Sequence, residues 1–151
     1  MRYFLDCEFN GFGGALMSLA LVPEDGIDDY YVVIPLEGEE AEPWVERHVV
    51  PYLHSVPPIL LNQLDRVAAA HDIARYLSTD VDPEIVADWP EDIALFCRLL
   101  LTAETEIVDV ASLRFHFLRT PGFSTARNSA VPHNALHDAR ALRDHVLAIG
   151  A

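Results

Sequence analysis

The opening residues, Met1-Arg-Tyr-Phe-Leu-Asp-Cys-Glu-Phe-Asn10, are mostly apolar and aromatic, yet carry two carboxylates, Asp6 and Glu8, near the end. Such a composition predicts a buried strand. Side chains on a strand alternate with a period of two, so Asp6 and Glu8 share one face while Leu5, Cys7 and Phe9 share the other. Two acids side by side on a strand whose opposite face is apolar repel each other and resist desolvation unless a cation offsets them. The spacing suits a pair of metal ligands, and it equally suits a solvated strand end.

Outward from this strand, Asn10-Gly-Phe-Gly-Gly14 holds three glycines in four positions and predicts a tight connection. It lacks the lysine and serine of a triphosphate-cradling loop. Ala15–Val22 and Tyr30–Ile34 predict two more strands, completing an antiparallel meander, and the acidic run Leu36–Glu42 predicts a solvated loop. A short helix opened by proline is expected over Pro43–Val50, then a proline-broken stretch to Pro58, then a helix capped by Asn62 and ending near Ser78. Glu84–Ala87 predicts a fourth strand, Pro90–Leu101 a helix, Ile107–Leu118 a fifth extended segment, 119–132 a loop, and Asn134–Ile149 a closing helix. The expected architecture is α/β: a mixed five-stranded sheet, three antiparallel strands followed by helix-linked ones, with helices on both faces. With no repeat and no linker, residues 1–151 are expected to form one domain.

The chain carries 24 acidic against 10 basic residues, a net charge of -14, and every basic residue is arginine. That balance argues against coating long nucleic acid through nonspecific phosphate contacts. It leaves room for an enzyme that handles a strand end with divalent cations supplying the local positive charge. Arg114, Arg119 and Arg127, with His116 and His133, form a basic island over residues 110–135, which contain no acid. No apolar run is long enough to cross a bilayer and no leader is apparent, so a cytoplasmic setting is expected. Cys7 and Cys97 are expected as reduced, buried thiols. The apolar residues of 44–61 suit a homodimer interface or the completion of a small core.

Two further segments carry acids into the argument. Val86-Ala-Asp-Trp-Pro-Glu-Asp-Ile-Ala-Leu-Phe96 runs from the fourth strand into a helix whose first turn holds Asp92, where the helix N-terminus favours a carboxylate. Asp88 competes for the same role. Pro132-His-Asn-Ala-Leu-His-Asp-Ala-Arg-Ala-Leu142 places Asp138 at the border of the packed face of the last helix. His133, or alternatively His137, is an imidazole suited to take a proton beside it.

Phe4-Leu-Asp-Cys-Glu-Phe9 resembles the first motif of the DEDD superfamily of 3′→5′ exonucleases. Glu91-Asp-Ile-Ala-Leu-Phe96 is similar to the second motif, and His133-Asn-Ala-Leu-His-Asp138 to the third, in the DEDDh subclass with a histidine five residues before the last aspartate. The resemblance covers nearly the whole chain and looks closest to compact bacterial exoribonuclease-like proteins. It implies a ribonuclease-H-like fold and two divalent ions, Mg²⁺ or Mn²⁺, held by Asp6, Glu8, Asp92 and Asp138, with His133 as general base. The implied reaction is two-metal hydrolysis of single-stranded RNA or short oligonucleotides from the 3′ end to nucleoside 5′-monophosphates. Arg114, Arg119 and Arg127 would then steer the backbone, and Phe9, Phe12 or Phe123 would stack on bases. Cys7 stands where the family commonly has threonine, and Trp89-Pro-Glu-Asp92 replaces its usual lead-in to the second aspartate. The alternatives are a non-catalytic nucleic-acid or protein-binding module on the same fold, and a zinc-like cluster of His133, His137 and Asp138.

Overall fold

The computed structural model describes all 151 residues, Met1–Ala151. The meander consists of β1 (Arg2–Phe9), β2 (Leu16–Pro23) and β3 (Tyr30–Val33), each antiparallel to the one before. There follow α1 (Pro43–His48), single helical turns at Val50–Tyr52 and Pro58–Leu60, β4 (Asn62–Gln63) and α2 (Arg66–Leu77). Next come β5 (Glu84–Ala87), α3 (Pro90–Leu99), β6 (Leu101–Ala103) and β7 (Glu106–Ile107). The chain continues through β8 (Arg114–Phe117) and α4 (Thr125–Asn128) to α5 (Ala135–Ile149).

The sheet has six strands rather than five, in the order β4-β3-β2-β1-β5-β8, with β5 parallel to both β1 and β8. The added strand is β4, only two residues long, which pairs parallel with β3. Asn62 therefore extends the sheet instead of capping a helix. The cap of α2 is Asp65, whose side chain accepts the Ala68 amide at 2.8 Å. The expected fifth segment also divides: Glu106–Ile107 turns back on β6 in a separate two-stranded sheet, and only Arg114–Phe117 joins the main one.

Alternation along the central strands builds two cores. Tyr3, Leu5 and Cys7 pack with Leu19, Leu21, Ile85 and the apolar faces of α2 and α3. Phe4 packs with Ala20, Val22, Val86 and the buried stripe Leu136, Ala139, Leu142 and Val146 of α5. Val45 and Val49 close over Met17, so part of the 44–61 segment completes the core, while Ile59 is 91% exposed. Cys97 departs from expectation: it lies on the outer face of α3 and is exposed, whereas Cys7 is buried, and both are free thiols. No helix is long and apolar enough to cross a membrane.

The last helix is fixed at its start by a buried side chain. Asn134 Oδ1 accepts the Leu136 and His137 amides at 3.1 and 3.3 Å, and its Nδ2 donates to the Tyr52 carbonyl at 2.8 Å. Asn134→Ala removes the cap and strands the Tyr52 carbonyl, so a loss of roughly 1–3 kcal/mol of unfolding free energy is expected in urea titration. An unchanged midpoint would show that the cap contributes nothing.

Candidate active site

β1 is flanked by β2 and β5, so its carboxyl end lies mid-sheet, and the N-termini of α3 and α5 converge there from opposite faces. Asp6, Glu8, Asp92, Asp138 and His133 all line one cleft of about 660 Å³, together with Asp88 from the end of β5. Glu8, Asp92 and Asp138 are buried. Asp6 is half-buried as a residue, yet its Oδ2 is sealed from solvent with no hydrogen-bond partner, and Asp138 Oδ1 is in the same condition.

Among the lining residues there is no arginine, so no guanidinium inside the cleft offsets these acids. Burial pushes Glu8 up to about 8, with Asp138 adding repulsion. Burial, then Asp88, Glu8 and Glu91, push Asp92 up to about 8. Burial raises Asp138 to about 6 even though the His133 amide pulls it down. Asp6 is raised well above the ordinary aspartate range, by burial first and then by Asp92, Glu8, Asp138 and Asp88. Carboxylates forced toward their neutral form in a cleft without a protein cation have the chemistry that suits a hard divalent ion. Ligand atoms of Glu8, His133 and Asp138 lie within 4.8 Å of one another, a group that could hold a metal ion.

His133 has φ +65°, a left-handed conformation uncommon for a residue with a side chain. The turn aims its amide at Asp138 Oδ2, 3.0 Å away, so the residue that enters the cleft also orients a carboxylate within it. The imidazole meets the Trp44 ring edge-to-face at 5.1 Å between centroids. Burial, and then the charge of His48, lower its pKa, which keeps it neutral and able to accept a proton. His137 is turned elsewhere: its Nε2 lies 2.8 Å from the Ser55 carbonyl, and it does not line the cleft. The trio His133, His137 and Asp138 is therefore not assembled. Asp88 does reach the cleft, half-buried, with one oxygen taking the Thr120 hydroxyl at 3.3 Å.

The softer assignments separate as well. Phe9, Phe12 and Phe123 all border the cleft, and Phe12 is 99% exposed. Arg127 lies on α4, next to the cleft-lining Ser124 and Thr125, and Arg119 precedes Thr120 on an exposed loop. Arg114 does not belong to this end of the molecule. It starts β8, level with Glu84 at the amino end of β5, and donates to Asp82 at 2.8 Å. Parallel strands put that end a full strand length from the acids, so the basic island over residues 110–135 is divided in space, with Arg114 away from the cleft. Two half-exposed indoles, Trp44 and Trp89, stand on the cleft rim, a placement that sequence reasoning does not give. Trp89 carries a local signal, the unusual lead-in to Asp92; Trp44 comes from a distant helix and carries none.

No known protein-family profile matches the chain. Two curated relatives do, one in each of two strains of Mycobacterium tuberculosis, H37Rv (Rv2179c) and CDC 1551 (MT2234.1), each 37% identical over 82 residues. Both are named 3′-5′ exoribonucleases. The match covers 53% of this chain and 48% of each relative, so the chain spans about half the length of the curated relatives it matches.

Proposed function

We propose that the protein is a metal-dependent 3′→5′ exonuclease that shortens single-stranded RNA or short oligonucleotides to nucleoside 5′-monophosphates. The observation that carries this reading is the cleft itself, in which acids from β1, α3 and α5 meet a neutral imidazole with no protein cation among them. The similarity to proteins named 3′-5′ exoribonucleases favours RNA as the substrate.

Asp6, Glu8, Asp92 and Asp138 would hold two Mg²⁺ or Mn²⁺ ions, with Asp88 available beside them. Bound there, the ions would supply Lewis-acid stabilisation of the phosphoryl oxygens and of the departing 3′-oxygen. His133 takes the proton of the attacking water on its imidazole, whose lowered pKa keeps it unprotonated near neutrality. Asp138, oriented by the His133 amide, keeps that imidazole next to the acids. Water adds to phosphorus as the bond to the 3′-oxygen breaks, leaving the phosphate on the released nucleotide's 5′-oxygen. Phe9, Phe12 and the rim indoles offer faces to unpaired bases, and Arg119 and Arg127 offer charge to the backbone leading in.

The test uses 5′-labelled single-stranded RNA and matched DNA with Mg²⁺ or Mn²⁺. A ladder shortening from the 3′ end, abolished by EDTA, is expected, with RNA the faster substrate. Failure to digest either substrate at high protein concentration would end the reading. The closeness of His133 to Glu8 and Asp138 supports one further version, a single ion held by those three. In that case Zn²⁺ rather than Mg²⁺ would restore activity after chelation.

A further inference from the structure

The glycine loop after β1 is held from two sides. On one, the Asn10 side chain binds the acidic segment, donating to Glu39 at 3.2 Å and to the Glu40 carbonyl at 3.0 Å and accepting the Glu42 amide at 2.7 Å. Gly11, at φ +74°, lies against the Glu42 carboxylate, in space that a Cβ would fill. On the other side, the Gly13 amide donates to Glu91 Oε1 at 2.8 Å. The Gly11 and Gly14 amides are spent inside the loop, on Phe9 and Gly11 carbonyls, so the Gly13 bond ties its tip to α3. Between the anchors stands Phe12, whose ring is 99% exposed and packs on nothing in the chain. Its position is set by the backbone alone. Glu91 directly precedes Asp92 in the first turn of α3, so one helical turn presents both an acid of the cleft and the anchor of the loop.

We propose that Glu91 is a positioning residue that latches the glycine loop through the Gly13 amide and so fixes Phe12 at a set reach from the acid cluster. Resting on the exonuclease reading above, the latch keeps the base stacked on Phe12 in register with the phosphodiester to be cut. Such a latch suits an unpaired 3′ end, whose bases are free to unstack and lie on the ring.

The test compares Glu91→Ala, Glu91→Gln and Phe12→Ala. Gln keeps a carbonyl oxygen for the Gly13 amide, whereas Ala removes it. Loss of one stacked base weakens binding by roughly tenfold. Glu91→Ala is therefore expected to raise KM for a short single-stranded RNA about tenfold with kcat nearly unchanged, and to weaken RNA binding in fluorescence anisotropy to match. Glu91→Gln restores both, and Glu91→Ala combined with Phe12→Ala is no worse than Phe12→Ala alone. A fall in kcat with KM unchanged would mean that Glu91 serves the acids instead, and full additivity with Phe12→Ala would separate it from the loop; either overturns the proposal. Anisotropy keeps the two ideas apart. Wild type that binds RNA without cutting it defeats the exonuclease reading, and Glu91→Ala that binds as tightly as wild type defeats the latch.

Discussion

Asp6→Asn is expected to abolish nuclease turnover, by at least about 10³-fold, while raising the melting temperature of the metal-free protein. Both effects have one source. Asp6 lies on the central strand with Oδ2 buried and unpartnered, beside Glu8, Asp92 and Asp138, and its carboxyl is raised by burial and by those neighbours. An amide of the same shape removes one of the crowded charges and adds a donor that can reach an adjacent carboxylate. Satisfying a buried polar cluster in this way contributes roughly 1–3 kcal/mol, or about 3–10 °C for a domain of this size. Calorimetry in EDTA reads the stability and the ladder assay reads the turnover. A variant that melts lower than wild type would mean that Asp6 already has a structural partner.

The second expectation concerns pH. Glu8 and Asp92 are raised to about 8 and Asp138 to about 6, so the folded chain binds more protons than the unfolded one above the ordinary carboxylate range. Stability of the metal-free protein therefore falls with rising pH wherever the native state holds the extra protons. The contribution of these groups is fully present below about pH 4, the unfolded carboxylate range, and is lost by about pH 8. A divalent cation that binds only the folded chain reverses the loss, adding about 2.7 kcal/mol at a hundredfold excess over its Kd, roughly 5–10 °C. Melts with Mn²⁺ against EDTA should thus differ strongly at pH 8 and little at pH 5, where protons compete for the same oxygens. Equal shifts at both pH values would place the ion away from these acids.

How far the sequence could be read depended on whether the signal was local. The period of β1 is local, and Phe4 does meet α5 while Leu5 and Cys7 meet α2 and α3. The apolar spacing of α5 is local too, although Ile149, which continues that spacing to the end of the helix, is 54% exposed. β4 has two residues and no period to detect; it pairs only because the turn at Pro58–Leu60 lays it beside β3. The division of Ile107–Leu118 follows from β6, which offers Ile107 a partner that composition does not announce. In the cleft, the acids carried spacing that could be recognised. Trp44, Thr120 and the anchoring role of Glu91 depend on how distant loops approach, and a single strand's pattern says nothing of that.

The order in which the acids enter the chain has a consequence for its synthesis. Asp6 and Glu8 leave the ribosome first, Asp92 follows in mid-chain, and His133 and Asp138 come only with α5. On the exonuclease reading, a nascent polypeptide translated as far as β8 lacks both its base and its last carboxylate. On that same reading the site is incomplete, and RNA goes uncut, until α5 docks against the sheet.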